Sequence, residues 1–296
     1  MNSIDIESKK FLGQPKNFVS IFNALLFDGQ QVLKSEYLKD ENSELVMNVS
    51  SKHVDIIKRY EDGTYLDLFV IESQSYVDPS MVARVMEYES VARMRYIRQN
   101  FKKHVPMHTR LPMILTVVLY VGESKWNAAK RLSELEIIHP GFEDMFNEFK
   151  LNLIELNTNH KYNTGEKATQ DFFDLLRMIY RKQILKEDLD REFNRDALYF
   201  AYVVTKNKEL LNIYQESEKG DVKVCRALDE MFEESTNKGI QMGIKQGIEQ
   251  GVERGVKNTQ IKIAIKMLVR NNQTLEEISE IVGLDLNALR ELKKSI

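Results

Sequence analysis

Residues 65–75 read YLDLFVIESQS, a β-rich run ending in a carboxylate and an amide, Glu72 and Gln74, two positions apart. Side chains alternate along a strand, so these two point to one face, where burial is costly unless each finds a partner. Upstream, HVDIIKRY carries Asp55, and the two runs flank Asp62-Gly63, a strong hairpin signal. With a two-residue turn, Glu61 would face Thr64, Asp55 would lie opposite Val70, and Glu72 would be its diagonal neighbour. Diagonal pairs sit roughly 7–8 Å apart, close enough to share one Mg²⁺ at about 2.0–2.1 Å from its ligand oxygens. Two carboxylates on one metal, with a neighbouring group that orients water, can hydrolyse a phosphodiester. Gln74 can orient water and donate a hydrogen bond, but it brings no positive charge. A three-residue turn would reverse the parity and separate the carboxylates. A structural reading stands beside the chemical one, with Asp55 and Glu72 in ion pairs to Lys58 or Arg84.

These residues need a sheet to hold them. A helix is predicted from Pro15 to Phe27 by the spacing of Phe18, Val19, Phe22, Leu25 and Leu26. Another is predicted from about Pro79 to Phe101, followed by LPMILTVVLYVG at 111–122. That run is apolar throughout, as in a central strand buried on both faces. Strand, helix and strand in this order suggest a right-handed βαβ crossover. LNLIEL at 151–156 supplies a shorter strand, and helices are expected near 168–186, 192–213 and 221–236.

A different pattern begins near residue 237. GIQMGIKQGIEQGVERGVKN places Gly239, Gly243, Gly247, Gly251 and Gly255 every four residues, each followed by Ile or Val. A helix here would carry a smooth glycine ridge beside a β-branched stripe, a pairing suited to self-association; a flexible tether is the other reading. In residues 259–296, Thr274 and Glu277 form a capping-box pattern and Gly283 marks a turn between two short helices, a helix-turn-helix-like pair.

The 296 residues are 43% hydrophobic and 29% charged, which is ordinary for a globular chain with real cores. A net charge of −3 argues against coating nucleic acid through bulk charge. Locally, however, residues 90–110 carry Arg93, Arg95, Arg98, Lys102, Lys103 and Arg110 with no Asp or Glu, either a phosphate-binding footprint or a solvated helix face. No apolar run is long enough to span a bilayer, and the polar start MNSIDIESKK does not read as a signal peptide. The single Cys225 excludes an internal disulfide, and the five His residues form no HExxH pair, so zinc is not expected and a reducing cytoplasm is.

The ordered segments HVDIIKRYEDG, FVIESQSYVDPSMVARVMEY and LPMILTVVLYVGESKW resemble the Rpn family of recombination-promoting nucleases, transposase-like members of the PD-(D/E)XK nuclease superfamily. The matching positions are Asp55, Glu72-Ser73-Gln74, Met81, Arg84, Tyr88, Leu111-Pro112, Tyr120 to Gly122 and Trp126, and FNALLFDGQQV and the glycine repeat extend the likeness over nearly the whole chain.

The resemblance implies an α/β nuclease-like mixed sheet flanked by helices over residues 1–160, a helical extension over 161–236, the repeat over 237–258 and the helical pair over 259–296. It implies a Mg²⁺-dependent DNA endonuclease that promotes recombination or serves mobile-element or phage-defence processes, with Mn²⁺ or Ca²⁺ as the other candidate ions. By the same implication Asp55 and Glu72 ligate the metal, the Ser73 main-chain carbonyl contributes, and Gln74 stands where the wider superfamily carries Lys. Arg84, Arg93, Arg95, Arg98, Lys102 and Lys103 are the candidate DNA contacts. Relatives often carry Arg before the metal Asp, whereas this chain has Ser51-Lys52-His53; Asp5 and Glu7 are the candidates for an acidic residue on a first helix. The competing function is a catalytically inactive nuclease fold that binds DNA or assists transposition.

Overall fold

The computed structural model describes residues 3–41, 56–63, 66–101, 104–184, 188–217 and 220–296. A five-stranded mixed sheet is built from β1 (Leu38–Asp40), β2 (Ile56–Glu61), β3 (Leu66–Gln74), β4 (Ile114–Tyr120) and β5 (Asn152–Glu155), in that spatial order. The pairs β1–β2 and β2–β3 are antiparallel, and β3–β4 and β4–β5 are parallel. The parallel step from β3 to β4 is made through α3 (Met81–Asn100), as the strand–helix–strand order predicted.

The β2–β3 hairpin differs from a two-residue turn. Glu61 pairs with Leu66 rather than Thr64, and Ile57, not Asp55, lies opposite Val70. The connection is residues 62–65, with Gly63 at φ +88°. A wider turn slides the register by two positions, which preserves the face of every side chain but changes what stands opposite it.

Alternation sorts β3 between two layers. Leu68 and Val70 join Ile57 and Ile114 beneath Tyr88 and Ala92 of α3, and Val118 and Tyr120 of β4 continue that layer against Met81, Val82 and Val85. On the other face Phe69 stacks on Phe22 of α2 (Pro15–Phe27) at 4.7 Å between ring centres. Fully burying side chains of this kind stabilises by roughly 1.5–3 kcal/mol each. Asp5 and Glu7 fall on α1 (Ser3–Leu12), a helix that apolar spacing did not announce, which brings Phe11 against Phe172 of α4 (Lys167–Arg181) and Phe200 of α5 (Arg195–Thr205).

The helix expected over 192–213 is two. Lys206 turns left-handed (φ 57°) to end α5, and the Asn207 side chain accepts from the Glu209 amide to start α6 (Lys208–Glu216). Asn is among the best N-cap residues, so the local signal ended a helix that the apolar spacing alone would have continued. Short strands β6 (Glu192–Phe193) and β7 (Val222–Lys223) pair antiparallel. The helix expected near 221–236 starts at Cys225 and runs to Arg270 as α7. Among the described residues no helix is long and apolar enough to cross a membrane.

The chain divides into two compact units, Met1–Asp229 and Glu230–Ile296. In the second, α8 (Leu275–Val282) and α9 (Leu286–Lys294) pack on the end of α7 through Ala264, Leu268, Ile278, Val282 and Leu289. The capping box forms: the Thr274 amide donates to Glu277 Oε2 at 2.8 Å and the Glu277 amide to Thr274 Oγ1 at 3.2 Å. Gly283 turns the chain at φ +71°. The glycine repeat is helical throughout and lies within α7.

Candidate functional site

Glu72 and Gln74 close β3 at the carboxyl end of the parallel part of the sheet, in register with Val118 and Tyr120 of β4. Each is only 4% exposed. Both lie on the α3 side of the sheet, two and four positions beyond Val70, so the strand delivers them to one face as its alternation requires.

Glu72 is held by the first turns of α3. Arg84 Nη2 lies 2.9 Å from Glu72 Oε1, and Nη1 lies 2.6 Å from Asp78 Oδ2. The same guanidinium donates to the Tyr88 hydroxyl from Nε at 3.1 Å and from Nη2 at 2.8 Å. Arg84 and Tyr88 are four apart and so share one helix face. Asp78 precedes Pro79, and its Oδ1 accepts from the Ser80 amide at 2.9 Å and the Ser80 hydroxyl at 2.6 Å, which fixes the entry to α3.

Charge states follow from these contacts. Burial pushes the Asp78 carboxyl up, but the bonds from Ser80 and Arg84 outweigh it and hold it below the ordinary carboxylate range. Burial alone would ease the proton off Arg84; bonds to Tyr88 and Asp78 and the charge of Glu72 reverse that and keep it charged. Burial, reinforced by Glu72, pushes the Tyr88 hydroxyl up, so it stays neutral.

Gln74 takes no part in this network. Its main-chain carbonyl accepts from Val121 at 2.9 Å, yet its side-chain Nε2 is buried with no hydrogen-bond partner among the described residues. Leaving such a donor unsatisfied costs about 1–3 kcal/mol, an outlay that an acceptor on a ligand or a water would recover. The loop above it is held close: a Cβ at Gly122 would come within 2.7 Å of the Ser75 carbonyl. Tyr120 Oη donates to the Ser124 carbonyl at 2.7 Å, and its ring meets Trp126 edge-on. The run from Tyr120 to Trp126 thus builds the wall beside Gln74. From the opposite face, Ser8 of α1 reaches Ser73, with 3.5 Å between hydroxyl oxygens.

Asp55, Lys102 and Lys103 lie outside the described residues. Arg93 leans on Glu89 at 4.0 Å, and Arg95 and Arg98 have no ion pair among the described residues. Arg84 sits inside the network rather than on the surface. Glu89 is a buried carboxylate that sequence reasoning passed over; its Oε1 caps the Thr116 amide at 3.0 Å, and burial pushes its pKa up. Glu155, beside Tyr120 in the sheet and paired with Lys130, was passed over too. A lone Glu in a helix or strand gives no signal when its partner is distant in sequence. Asp78 did carry one, since Asp-Pro-Ser before an apolar helical run marks a helix start.

For a metal centre at the end of β3, Glu72 is the carboxylate that the strand itself supplies; among the described residues no group of three His, Cys, Asp or Glu could hold an ion. One or two carboxylates completed by water and substrate oxygens suffice for Mg²⁺. Glu72 fits as the first, and the second candidate is Asp55.

Fold and site together define a mixed α/β protein with a buried polar centre where the parallel strands end. A family model described as "Putative transposase, YhgA-like" matches residues 6–210, and the chain belongs to that family, to which the Rpn resemblance pointed. No curated protein and no solved structure matches the chain.

Proposed function

We propose that the protein is a Mg²⁺-dependent DNA endonuclease of the PD-(D/E)XK type that hydrolyses phosphodiester bonds in recombination, transposition-like or phage-defence processes. The observation that carries this reading is the pair Glu72 and Gln74, buried on one face at the end of β3, with the Gln74 amide nitrogen lacking an acceptor among the described residues. Asp55 and Glu72, with the Ser73 carbonyl, are the proposed metal ligands, and Mn²⁺ or Ca²⁺ could substitute for Mg²⁺. Bound there, the ion would polarise the phosphate and lower the pKa of a water.

The chain's own residues do the positioning. Arg84 fixes one oxygen of Glu72 and leaves the carboxylate geometry to follow α3. Gln74 has no titratable proton, so it donates to a phosphate oxygen or orients the attacking water rather than acting as a base. Arg93, Arg95, Arg98, Lys102 and Lys103 track the DNA backbone. One observation favours a second reading, a nuclease fold that binds DNA without cutting it: the Arg84–Glu72 ion pair is itself a complete structural role for Glu72.

Conversion of supercoiled plasmid separates the two. Wild-type protein should nick it with Mg²⁺ and not with chelator, and Asp55→Ala and Glu72→Ala should each abolish nicking. Undiminished cleavage by either variant removes the site; retardation of DNA with no cleavage under any of the three metals selects the second reading.

We also propose that the protein self-associates through the repeat segment of α7. Ile240, Ile244, Ile248, Val252 and Val256 are between 52% and 61% exposed, and among the described residues a Cβ at any of the five glycines beside them would meet nothing within 4 Å. Five glycines cost a helix roughly 0.8–1.0 kcal/mol each relative to Ala, and burying the β-branched stripe against a second copy offsets that. A four-residue period drifts about 40° per repeat, so two such helices would cross rather than run side by side.

A further inference from the structure

We infer that a second anion site, formed by Lys161, Arg177 and Arg181, takes a backbone phosphate of the DNA that the β3 site acts on; this rests on the nuclease reading. A cavity of about 260 Å³ opens between the loop after β5 and the last turns of α4. Asn159 and Lys161 line it from the loop, Arg177, Met178 and Arg181 from α4, and Asp188 from beyond the helix.

The charges in it do not cancel. Arg177 Nη2 donates to Asp174 at 2.8 Å, but that buried carboxylate also takes Arg191 at 2.8 Å. Asp188 leans on Arg191 at 3.6 Å. Lys161 and Arg181 have no carboxylate partner among the described residues, so two cations face the cavity uncompensated. The carbonyl end of α4 opposes an anion with about half a negative charge, which two full charges outweigh. Arg177 adds a donor that is already anchored: its side chain is 16% exposed, and one bond to Asp174 leaves most of its five N–H groups.

Size and lining point to a phosphate rather than a whole nucleotide. Sites for drug-sized ligands begin at roughly 300 Å³, and a base would need an aromatic platform. The apolar lining here is Met178.

Position ties the cavity to the candidate centre. β5 runs parallel to β3, so the loop bearing Asn159 and Lys161 leaves the same end of the sheet as Gln74. Asn157 Nδ2 donates to the carbonyls of Gly122 at 3.0 Å and Ser124 at 2.7 Å, and the Tyr180 hydroxyl donates to the Val121 carbonyl. Val121 in turn donates to the Gln74 carbonyl. A strand whose scissile phosphate sat at Gln74 would carry a neighbouring phosphate to this wall.

The test is duplex DNA binding by the full chain in chelator, where nothing is cut, across a salt series and with inorganic phosphate as competitor. For Lys161→Ala/Arg181→Ala the slope of log K against log salt should become shallower by about 1.8, at about 0.9 per lost contact, with affinity roughly tenfold or more weaker near 0.15 M salt. Lys161→Arg/Arg181→Lys should keep the wild-type slope. Phosphate should compete more strongly than chloride of equal ionic strength in the wild type and lose that advantage in the double alanine variant. An unchanged slope overturns the inference, even if phosphate still competes, since the cavity would then serve a small phosphate alone. Wild-type binding without plasmid cleavage but with the predicted slope change overturns the nuclease reading and leaves the anion site standing. No duplex binding by the wild type overturns both.

Discussion

Replacing Arg84 by Met keeps most of the aliphatic stem on α3 and removes the guanidinium that serves Glu72, Asp78 and Tyr88. The side chains involved are nearly dry: Glu72 is 5% exposed, Asp78 10% and Arg84 15%, so solvent screens the ion pairs little. Removing one partner of a buried pair costs about 3–5 kcal/mol, because the carboxylates left behind are uncompensated. Protonation caps that cost. Neutralising a carboxyl of ordinary pKa near 4 at pH 7 costs about 4 kcal/mol at 1.36 kcal/mol per unit, so a stranded Asp78 or Glu72 would sooner take a proton than cost more. For a unit of 150–250 residues, 1 kcal/mol moves Tm by about 2–4 °C, which puts the deficit at roughly 6–20 °C at pH 7.5.

The pH dependence supplies a second signature. Asp78 is held below its ordinary range, so its stabilisation is present above the unfolded pKa and fades as pH falls through the folded one. The variant lacks that depression, and its deficit should therefore narrow on going from pH 7.5 to pH 3, below the ordinary aspartate value of about 3.9. Thermal melts by circular dichroism at both values are the assay. A variant melting within about 2 °C of wild type at pH 7.5, or a deficit that does not narrow in acid, would refute the assignment of Arg84 as the clamp on Glu72.

Glu89→Gln keeps the Oε1 acceptor for Thr116 and removes a charge that burial disfavours. A carboxyl whose folded pKa is raised costs stability as pH rises from its ordinary range, so the variant should gain on wild type from pH 4 to pH 8; a wild type clearly the more stable at pH 8 would contradict this. Neutralising Arg95 and Arg98, which have no ion pair among the described residues, should shallow the DNA salt slope by about 0.9 each; an unchanged slope makes them a solvated helix face. Ile244→Asp with Ile248→Asp changes only exposed positions, so the variant should fold and sediment as a smaller species than wild type; identical sedimentation would leave the repeat as a tether.

The sheet around the centre was legible because its signals are local and strong. The apolar run at 111–122 reads as a central strand buried on both faces, and the alternation of Leu68, Val70, Glu72 and Gln74 puts them on a common face. The register of β2 against β3 was not legible, since Asp62-Gly63 fits both a two-residue turn and the wider one adopted, and only packing decides. The Arg84 clamp was visible as one alternative among ion pairs, whereas Glu89 and Glu155 find partners 27 and 25 residues away that no periodicity announces. The glycine repeat fitted both a ridged helix and a tether, because five glycines weaken a helix that a β-branched stripe supports; α7 passes through it unbroken. The anion cavity was the least legible of all, because Lys161 and Arg181 are ordinary surface cations until the fold brings them to one cavity.

The proposed function requires Glu72 to be a metal ligand. Calorimetric titration of Mn²⁺ into the full-length protein measures this without requiring cleavage. Wild type should show a saturable site, and Glu72→Gln, of nearly the same shape and still able to accept from Arg84, should lose it or bind at least tenfold more weakly while melting as a folded protein. Equal Mn²⁺ affinity in the two, or no saturable binding by wild type, would make Glu72 a partner of Arg84 and nothing more.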